Sequence, residues 1–357
     1  MTVNEATEYV AWAYQLLLDR APDPEGESYW VGRLLGGLSK EEFLQSVTRS
    51  DEYAARRSDP GVFAQEASRW AIVKELNCDL IVPITEVGAN NQFAFRVPAR
   101  DLSVTQGLID NRGMYERHVT RFLTSVLSAG DTFVDIGANL GFFTVLGARL
   151  VGEGGEVLAF EPVTINRRYC QANMELNNID NTRLFPHGLW SSEKVLEMAT
   201  WENFQGGSHL DILPPEVTGD TYQGPTEQIT CVTLDGFAAN QGLRFERLKA
   251  IKMDIEGAEP FALDGMAETI RAHKPLIVLE INRPCLRTYF QVDSDAIWQR
   301  LVSAGYTIAA FPEQCVAAAA LPRCTRVEGL DLRTVQDLET LNRLCPEDSL
   351  IDIVAIP

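Results

Sequence analysis

The sequence lacks any apolar run approaching the ~18 to 20 residues that a bilayer-crossing helix needs. It also lacks a basic-then-apolar leader, because its start, MTVNEATEYV, carries acids. There is no Cys-x-x-Cys pair among its seven cysteines, Cys78, Cys170, Cys231, Cys285, Cys315, Cys324 and Cys345. Their wide spacing and odd number fit neither a zinc site nor a disulfide framework, and fit buried thiols in a reducing cytosol. A cytoplasmic protein with no membrane span is therefore expected. Basic residues are scarce: 31 Lys and Arg stand against 50 Asp and Glu, a formal charge of −19. Long-range repulsion from phosphates then argues against nucleic acid or an anionic membrane as partner. Internal repeats are lacking, and low complexity is confined to the short Ala317 to Ala320 run. What is there is ordinary globular material, 45% hydrophobic and 23% charged. Its 357 residues suit one large domain plus a small one at ~150 residues each.

Residues 1 to 60 read as short helices. Tyr9, Trp12, Ala13, Leu16 and Leu17 recur at helical spacing and form one apolar stripe. Asp23-Pro24 supplies an N-cap and a first-turn proline for a second helix that would bury Tyr29, Trp30 and Leu34 and end at Gly36-Gly37. Ser39 and Glu42 have capping-box spacing, and Phe43, Leu44 and Val47 form the next stripe. Residues 61 to 110 read as a connector with short strands around the Gly88-Ala89-Asn90-Asn91 turn and Val97-Pro98. From 111 to 357 strands alternate with helices, the pattern of a mostly parallel α/β sheet. Strands are expected at 131–138, 155–162, 182–189, 248–255, 275–282, 307–311 and 349–356. Several are near-continuous apolar runs, as befits strands covered on both faces.

The first of these strands ends in DTFVDIGANLG, residues 131 to 141. Gly137 and Gly141 give a tight turn that allows close backbone approach to a ligand, and the helix Phe142 to Val151 presents free N–H groups after it. The spacing is Gly-x-x-x-Gly, not the Gly-x-Gly-x-x-Gly of nicotinamide-binding turns. An acid at Asp135 would repel a pyrophosphate but suits a ligand with a cationic part, such as S-adenosylmethionine. In the bland alternative Asp135 caps the turn and the glycines pack helix on sheet. Glu161, about twenty residues on at the end of AFEP, is placed to accept ribose hydroxyls.

The second concentration of chemistry is IKMDIEGAE, residues 251 to 259. Strand alternation puts Lys252 and Asp254 on one face and Ile251, Met253 and Ile255 on the other. A Lys and an Asp in an apolar central strand are expensive unless paired or used. Three readings compete. Asp254, Glu256 and Glu280 would bind a divalent cation; or they would orient an acceptor hydroxyl and take its proton; or Lys252 and Asp254 form a buried ion pair. The second is favoured, no metal is assigned, and the third is compatible with it. His209, at the end of the loop FQGGSH, is a further candidate base, His118 a weaker one, and Cys285 reads as a packed thiol.

Two resemblances follow from these residues. Arg20, Pro22-Asp23-Pro24, Gly26, Tyr29-Trp30 and Ser50-Asp51-Glu52-Tyr53 resemble a bacterial helical module of unassigned function, often attached to secreted or glycan-related proteins and similar to phycobilisome-linker helices. Its matching residues are caps, turns and aromatic core, no chemistry is assigned to it, and protein docking is a possible use. MYE (114–116), FVDIGANLGFFT (133–144), AFEP (159–162), TLDGF (233–237), IKMDIEGAEPFALDGM (251–266) and IVLEIN (277–282) resemble the FkbM-type methyltransferases, in that family's order. This resemblance implies a Rossmann-like class I methyltransferase fold, a seven-stranded mostly parallel sheet with an antiparallel last strand, preceded by a small all-α domain. It implies S-adenosylmethionine as cofactor, S-adenosylhomocysteine as product, and a small-molecule or glycan hydroxyl as acceptor. It makes Asp135, Gly137, Asn139, Gly141 and Glu161 the cofactor pocket, with Glu116 near the methionine moiety. After the third strand, where the family commonly shows an acid near adenine, this chain has Trp190-Ser191, for stacking or hydrogen bonding. Asp254 is the first choice of base, with Glu256 or His209 behind it, and Lys252 would orient Asp254. The alternatives are a nicotinamide-dependent oxidoreductase and a non-catalytic scaffold.

Overall fold

The computed structural model describes residues 2–18, 20–39, 42–43, 46–47, 50, 52, 79–99, 101, 103–111, 113–200, 209–210, 225–314 and 324–357. The chain divides into two compact units, Met1–Met114 and Tyr115–Pro357.

The first unit opens with helices α1 (Val3–Leu18) and α2 (Pro24–Leu35). Ala6, Val10, Ala13, Tyr14, Leu18, Val31 and Leu34 are buried with Phe43 and Val47. Asp23 caps α2 by accepting the Gly26 amide at 2.8 Å. Ser39 and Glu42 form the reciprocal capping box: the Glu42 carboxylate accepts the Ser39 amide at 2.9 Å, and the Ser39 hydroxyl accepts the Glu42 amide at 3.1 Å. The expectation for Tyr29 fails, since that ring is 54% exposed and Val31 takes the inward position instead. The side chains of Trp12, Leu16, Leu17 and Leu44 lie outside the described residues. Strands β1 (Asp79–Ile84) and β2 (Phe93–Pro98) pair antiparallel around a turn at Ala89–Asn91, with Phe93, Phe95 and Val97 alternately buried; helix α3 (Val104–Asp110) follows.

The second unit runs α4 (Arg117–Val126), β3 (Thr132–Ile136), α5 (Phe142–Val151), β4 (Glu156–Phe160), α6 (Thr164–Leu176), β5 (Thr182–Phe185), β6 (His187–Leu189), β7 (Lys194–Ala199), β8 (His209–Leu210) and β9 (Thr226–Val232). It continues with α7 (Leu234–Gln241), β10 (Leu248–Met253), α8 (Glu259–Gly265), α9 (Ala267–His273), β11 (Leu276–Asn282), α10 (Arg283–Phe290), α11 (Ser294–Ser303), β12 (Thr307–Ala310), β13 (Cys324–Val327), β14 (Leu330–Val335), α12 (Leu338–Leu344) and β15 (Leu350–Ile356). The large sheet has the order β13-β14-β12-β15-β11-β10-β3-β4-β5. Strands β3, β4, β5, β10 and β11 are parallel, and β15 runs antiparallel between β11 and β12. Consecutive residues such as Phe133-Val134, Val157-Leu158 and Ile277-Val278 are buried, so both faces are covered.

The sheet departs from the sequence expectation twice. Among the described residues it holds nine strands instead of seven, because the hairpin β13–β14 adds to the edge of β12. The single strand expected over 182–189 is two. Pro186 has no N–H for the ladder and a fixed φ, so β5 stays in the large sheet while β6 joins a second sheet of order β6-β9-β7-β8.

The chain builds outward from β3 to β5 and then returns to β10 on the other side of β3. That reversal leaves a switch point at the carboxyl ends of β3 and β10, where open α/β sheets take their ligands.

Candidate active site

At the switch point β3 delivers Asp135 opposite Lys252 of β10. The glycine turn follows, with Gly137, Asn139 and Gly141 all at positive φ (79°, 51° and 92°). A β-carbon on Gly137 would lie 2.0 Å from the Asp254 carbonyl oxygen, and one on Gly141 would lie 2.7 Å from Cys170 Sγ. The sequence suggests that these glycines admit a ligand. In the structure they admit the chain's own backbone and α6, which brings the turn against the end of β10.

Glu161 fastens the same turn. One carboxylate oxygen accepts the Asn139 amide at 2.7 Å and the other the Val163 amide at 2.8 Å. Burial pushes its carboxyl up to about 7, against the pull of those two bonds. Each oxygen keeps a second lone pair, so the ribose role assigned from sequence has room beside this fastening one. Asp135 is buried and takes one bond, from the Thr144 hydroxyl at 2.5 Å. Burial raises its carboxyl, opposed by the Lys252 charge. Its second oxygen, Oδ1, and Oδ1 of Asn139 are both buried without a donor among the described residues.

Across the switch point Lys252 Nζ donates to Asp254 Oδ2 at 3.0 Å and lies 4.9 Å from the Phe143 ring centroid. Burial works to strip the lysine of its proton, but the charges of Asp254, Glu116 and Asp135 overcome it and hold the amine well above its usual range. The buried ion pair, the third of the sequence readings, is therefore formed. Glu256 follows in left-handed backbone (φ 53°), then Gly257. A β-carbon on Gly257 would lie 2.9 Å from the backbone of Cys285 and Leu286, so glycine lets this turn meet the start of α10.

Asp254, Glu256 and Glu280 come together, with one ligand atom from each lying within 4.8 Å of the others. That spacing is one in which carboxylates hold a hard divalent cation. Asn282 Nδ2 donates to Glu256 at 2.9 Å and to Glu280 at 3.4 Å, and the Cys285 thiol donates to Glu256 at 3.4 Å. Cys285 is thus a partner of the acidic cluster as well as a packed thiol. Burial, and then the Asp254 charge, push Glu256 up to about 8 and Glu280 well above the usual carboxylate range. Glu259, fully buried, accepts the Ile255 amide at 2.9 Å and is pushed up by burial to about 8.

Glu116 enters the same field from the start of α4. Burial outweighs the Lys252 charge and pushes it up to about 8, with Asp352 and Asp254 adding to the rise. His118, one helical step on, is bound to Asp352 at 2.6 Å. Asp352 was not singled out in the sequence. The signal was present, since it is the one acid inside the apolar strand SLIDIVAI, the same anomaly that marked Lys252 and Asp254.

One expected residue falls differently. Trp190 is buried and stacked on Phe261 (centroids 4.2 Å apart, 6° between planes), and Lys194 Nζ sits 3.8 Å from its ring centroid. Two groups that close cannot share one face, so no face of the indole is left for adenine. Ser191 beside it is exposed. His209 opens β8, whose backbone pairs with Ala199; the preceding loop residues, Phe204 to Ser208, lie outside the described residues.

The strand order around the glycine turn, with the antiparallel β15 between β11 and β12, defines the second unit as a Rossmann-like methyltransferase fold. The particular family follows from comparison: residues 135–308 match the methyltransferase FkbM domain, so the chain carries a domain of that family. Residues 3–57 match a domain of unknown function, DUF4214. Methyltransferase sdnD of Sordaria araneosa is 28% identical over 168 residues, covering 40% of this chain and 62% of that protein. The chain therefore spans less than two thirds of this curated relative. The methyltransferase FkbM of Methylobacillus flagellatus KT is 20% identical over 51% of this chain and 40% of its own, with a TM-score of 0.34. A SAM-dependent O-methyltransferase of Thermotoga maritima is 11% identical over 75% of both chains, also at 0.34.

Proposed function

We propose that the protein transfers the methyl group of S-adenosylmethionine to a hydroxyl oxygen of a sugar, glycan or other secondary metabolite by direct displacement. The observation that carries this reading is the pair of buried oxygens without donors, Asp135 Oδ1 and Asn139 Oδ1, on the turn at the switch point. Buried acceptors of this kind are costly unless a ligand brings them hydrogen. Donors carried on a cationic ligand match the charge of Asp135, whereas a pyrophosphate would not.

In this reading Asp135 and Asn139 accept from the donor's ammonium group, Glu161 takes ribose hydroxyls on its free lone pairs, and Glu116 lies by the methionine moiety. Bound there, the sulfonium compound supplies an electrophilic methyl group, and S-adenosylhomocysteine is left after transfer. The protein's part is mainly positioning of acceptor against donor. The O–CH3 bond forms as the S–CH3 bond breaks, and the hydroxyl proton passes to a base. Asp254 is the first candidate because Lys252 holds it in place at the end of β10. Glu256 stands behind it, its carboxyl pushed up to about 8 by burial and then by the Asp254 charge. Lys252 then stabilises charge developing on oxygen.

Calorimetric titration with S-adenosylmethionine, S-adenosylhomocysteine and NAD tests the reading. Uptake of the first two and not of NAD is expected. Uptake of NAD alone, or of none of the three by folded protein, overturns it.

A further inference from the structure

Glu116 sits in left-handed backbone, φ 38° and ψ 67°, immediately before α4. A residue with a β-carbon holds such a state only where its surroundings fix it. The Thr120 amide donates to the Glu116 carbonyl at 2.9 Å, and the Thr120 hydroxyl donates to the Tyr115 carbonyl at 2.6 Å. The Tyr115 ring packs on Phe142 and Phe143 at the start of α5. The two hydrogen bonds are local to the turn, and the ring contact reaches α5. From the first turn of α4, His118 Nε2 reaches the central sheet at Asp352 Oδ2, 2.6 Å, with the Gln314 amide donating to the same oxygen at 3.1 Å. Because a carboxylate only accepts, the hydrogen on His118 Nε2 points to Asp352, and the Gln314 amide, 3.2 Å from that ring nitrogen, donates to the same carboxylate oxygen. Phe311 packs against the His118 ring at 4.8 Å and against Phe122, one turn further along α4.

Asp352 is itself in a demanding place. It lies directly opposite Glu280 in the β11–β15 register, and its charge reaches Glu116 as well. Directly opposed carboxyl side chains share one face of a sheet and repel if both are charged. Lys252 is committed to Asp254. Among the described residues, His118 is the basic side chain bonded to Asp352.

We propose that His118 is a positioning residue: its bond to Asp352 fixes the start of α4 so that the Glu116 carboxylate meets the amino-acid end of the methyl donor. This deepens the proposed function and rests on it. His118 is then neither a base nor in contact with the reacting atoms. What it sets is affinity for one part of the donor.

The experiment compares two ligands that share the thioadenosine but differ in the amino-acid chain: S-adenosylhomocysteine, which has it, and 5′-methylthioadenosine, which lacks it. In His118→Ala the affinity for S-adenosylhomocysteine should fall ~10-fold while that for 5′-methylthioadenosine stays within about twofold. Glu116→Gln should give the same pattern, and the double variant should bind no more weakly than Glu116→Gln alone. His118→Gln, which can still donate to Asp352, should recover most of the loss. Equal losses for both ligands, or additive losses in the double variant, overturn the inference. Should His118→Ala fail to fold, Asp352→Ala, which removes the acceptor, tests the same bond with the same pair of ligands, and equal losses there overturn it too. If the unmodified protein binds neither ligand, it is the proposed function that fails; if it binds both and His118→Ala binds both equally well, only the inference about His118 does.

Discussion

Lys252 and Asp254 lie two residues apart on one strand, and their side chains meet at 3.0 Å on the same face, the lysine buried and the aspartate half-exposed. The strand's two-residue period makes that meeting possible, and the break after Met253 opens the aspartate towards the switch point. A buried lysine cannot lose its partner cheaply. Replacing Asp254 by Ala would leave that charge unpaired, at about 3–5 kcal/mol. Asp254→Asn is the cleaner variant, since it keeps an acceptor for Nζ. It should lower kcat by ~10²- to 10⁴-fold while S-adenosylhomocysteine affinity stays within a few-fold. Steady-state kinetics beside calorimetry check this, and lost affinity with turnover retained would remove Asp254 from its role.

Four carboxyls with raised values make stability depend on pH in an unusual direction. Glu116, Glu256 and Glu259 are pushed up to about 8 and Glu161 to about 7, from an ordinary 4.5. Between those values the folded protein holds protons that the unfolded chain has released. The associated stability is therefore complete below about pH 4.5 and is lost as pH rises through 7 to 8. Thermal melts of ligand-free protein should show Tm falling over that window. Glu259→Gln, which keeps an acceptor for the Ile255 amide, should flatten the fall. A Tm that holds level or climbs with pH contradicts the assignment.

Gly137 is required by its neighbour. With φ at 79° and a β-carbon that would land 2.0 Å from the Asp254 carbonyl, Gly137→Ala has no cheap relaxation available, since the obstructing atom is backbone. A loss of about 3 kcal/mol or more in unfolding free energy is expected. Chemical denaturation would reveal it, and a variant as stable as the parent would mean that the turn and β10 are further apart than described.

Trp190 should matter to stability and not to the donor. With Phe261 on one face and Lys194 on the other, Trp190→Phe removes stacking area and a cation–π contact. Tm should fall while S-adenosylmethionine affinity stays within about twofold. A tenfold loss of affinity with an unchanged Tm would restore the indole to the adenine site.

Local pattern determined much of this protein before any tertiary contact is considered. Asp23-Pro24 and the Ser39–Glu42 pair set helix starts because capping is a matter of residues three apart. The apolar runs around Phe133, Leu158, Ile251 and Ile277 specified doubly covered parallel strands, and the glycine turn placed the ligand edge. The sequence also marked Lys252, Asp254 and Glu256 as anomalous, since charge in an apolar strand needs a reason.

Only the tertiary structure decided who meets whom. Asp352 reaches His118 across 234 positions of chain, Glu280 joins Asp254 and Glu256 from a neighbouring strand, and Trp190 is closed off by Phe261 of α8 and Lys194 of β7. Gly137 is a glycine because of a carbonyl more than a hundred residues away. Such pairings follow from strand order and register, which the chain fixes by burying its whole apolar surface at once, and no local period encodes them.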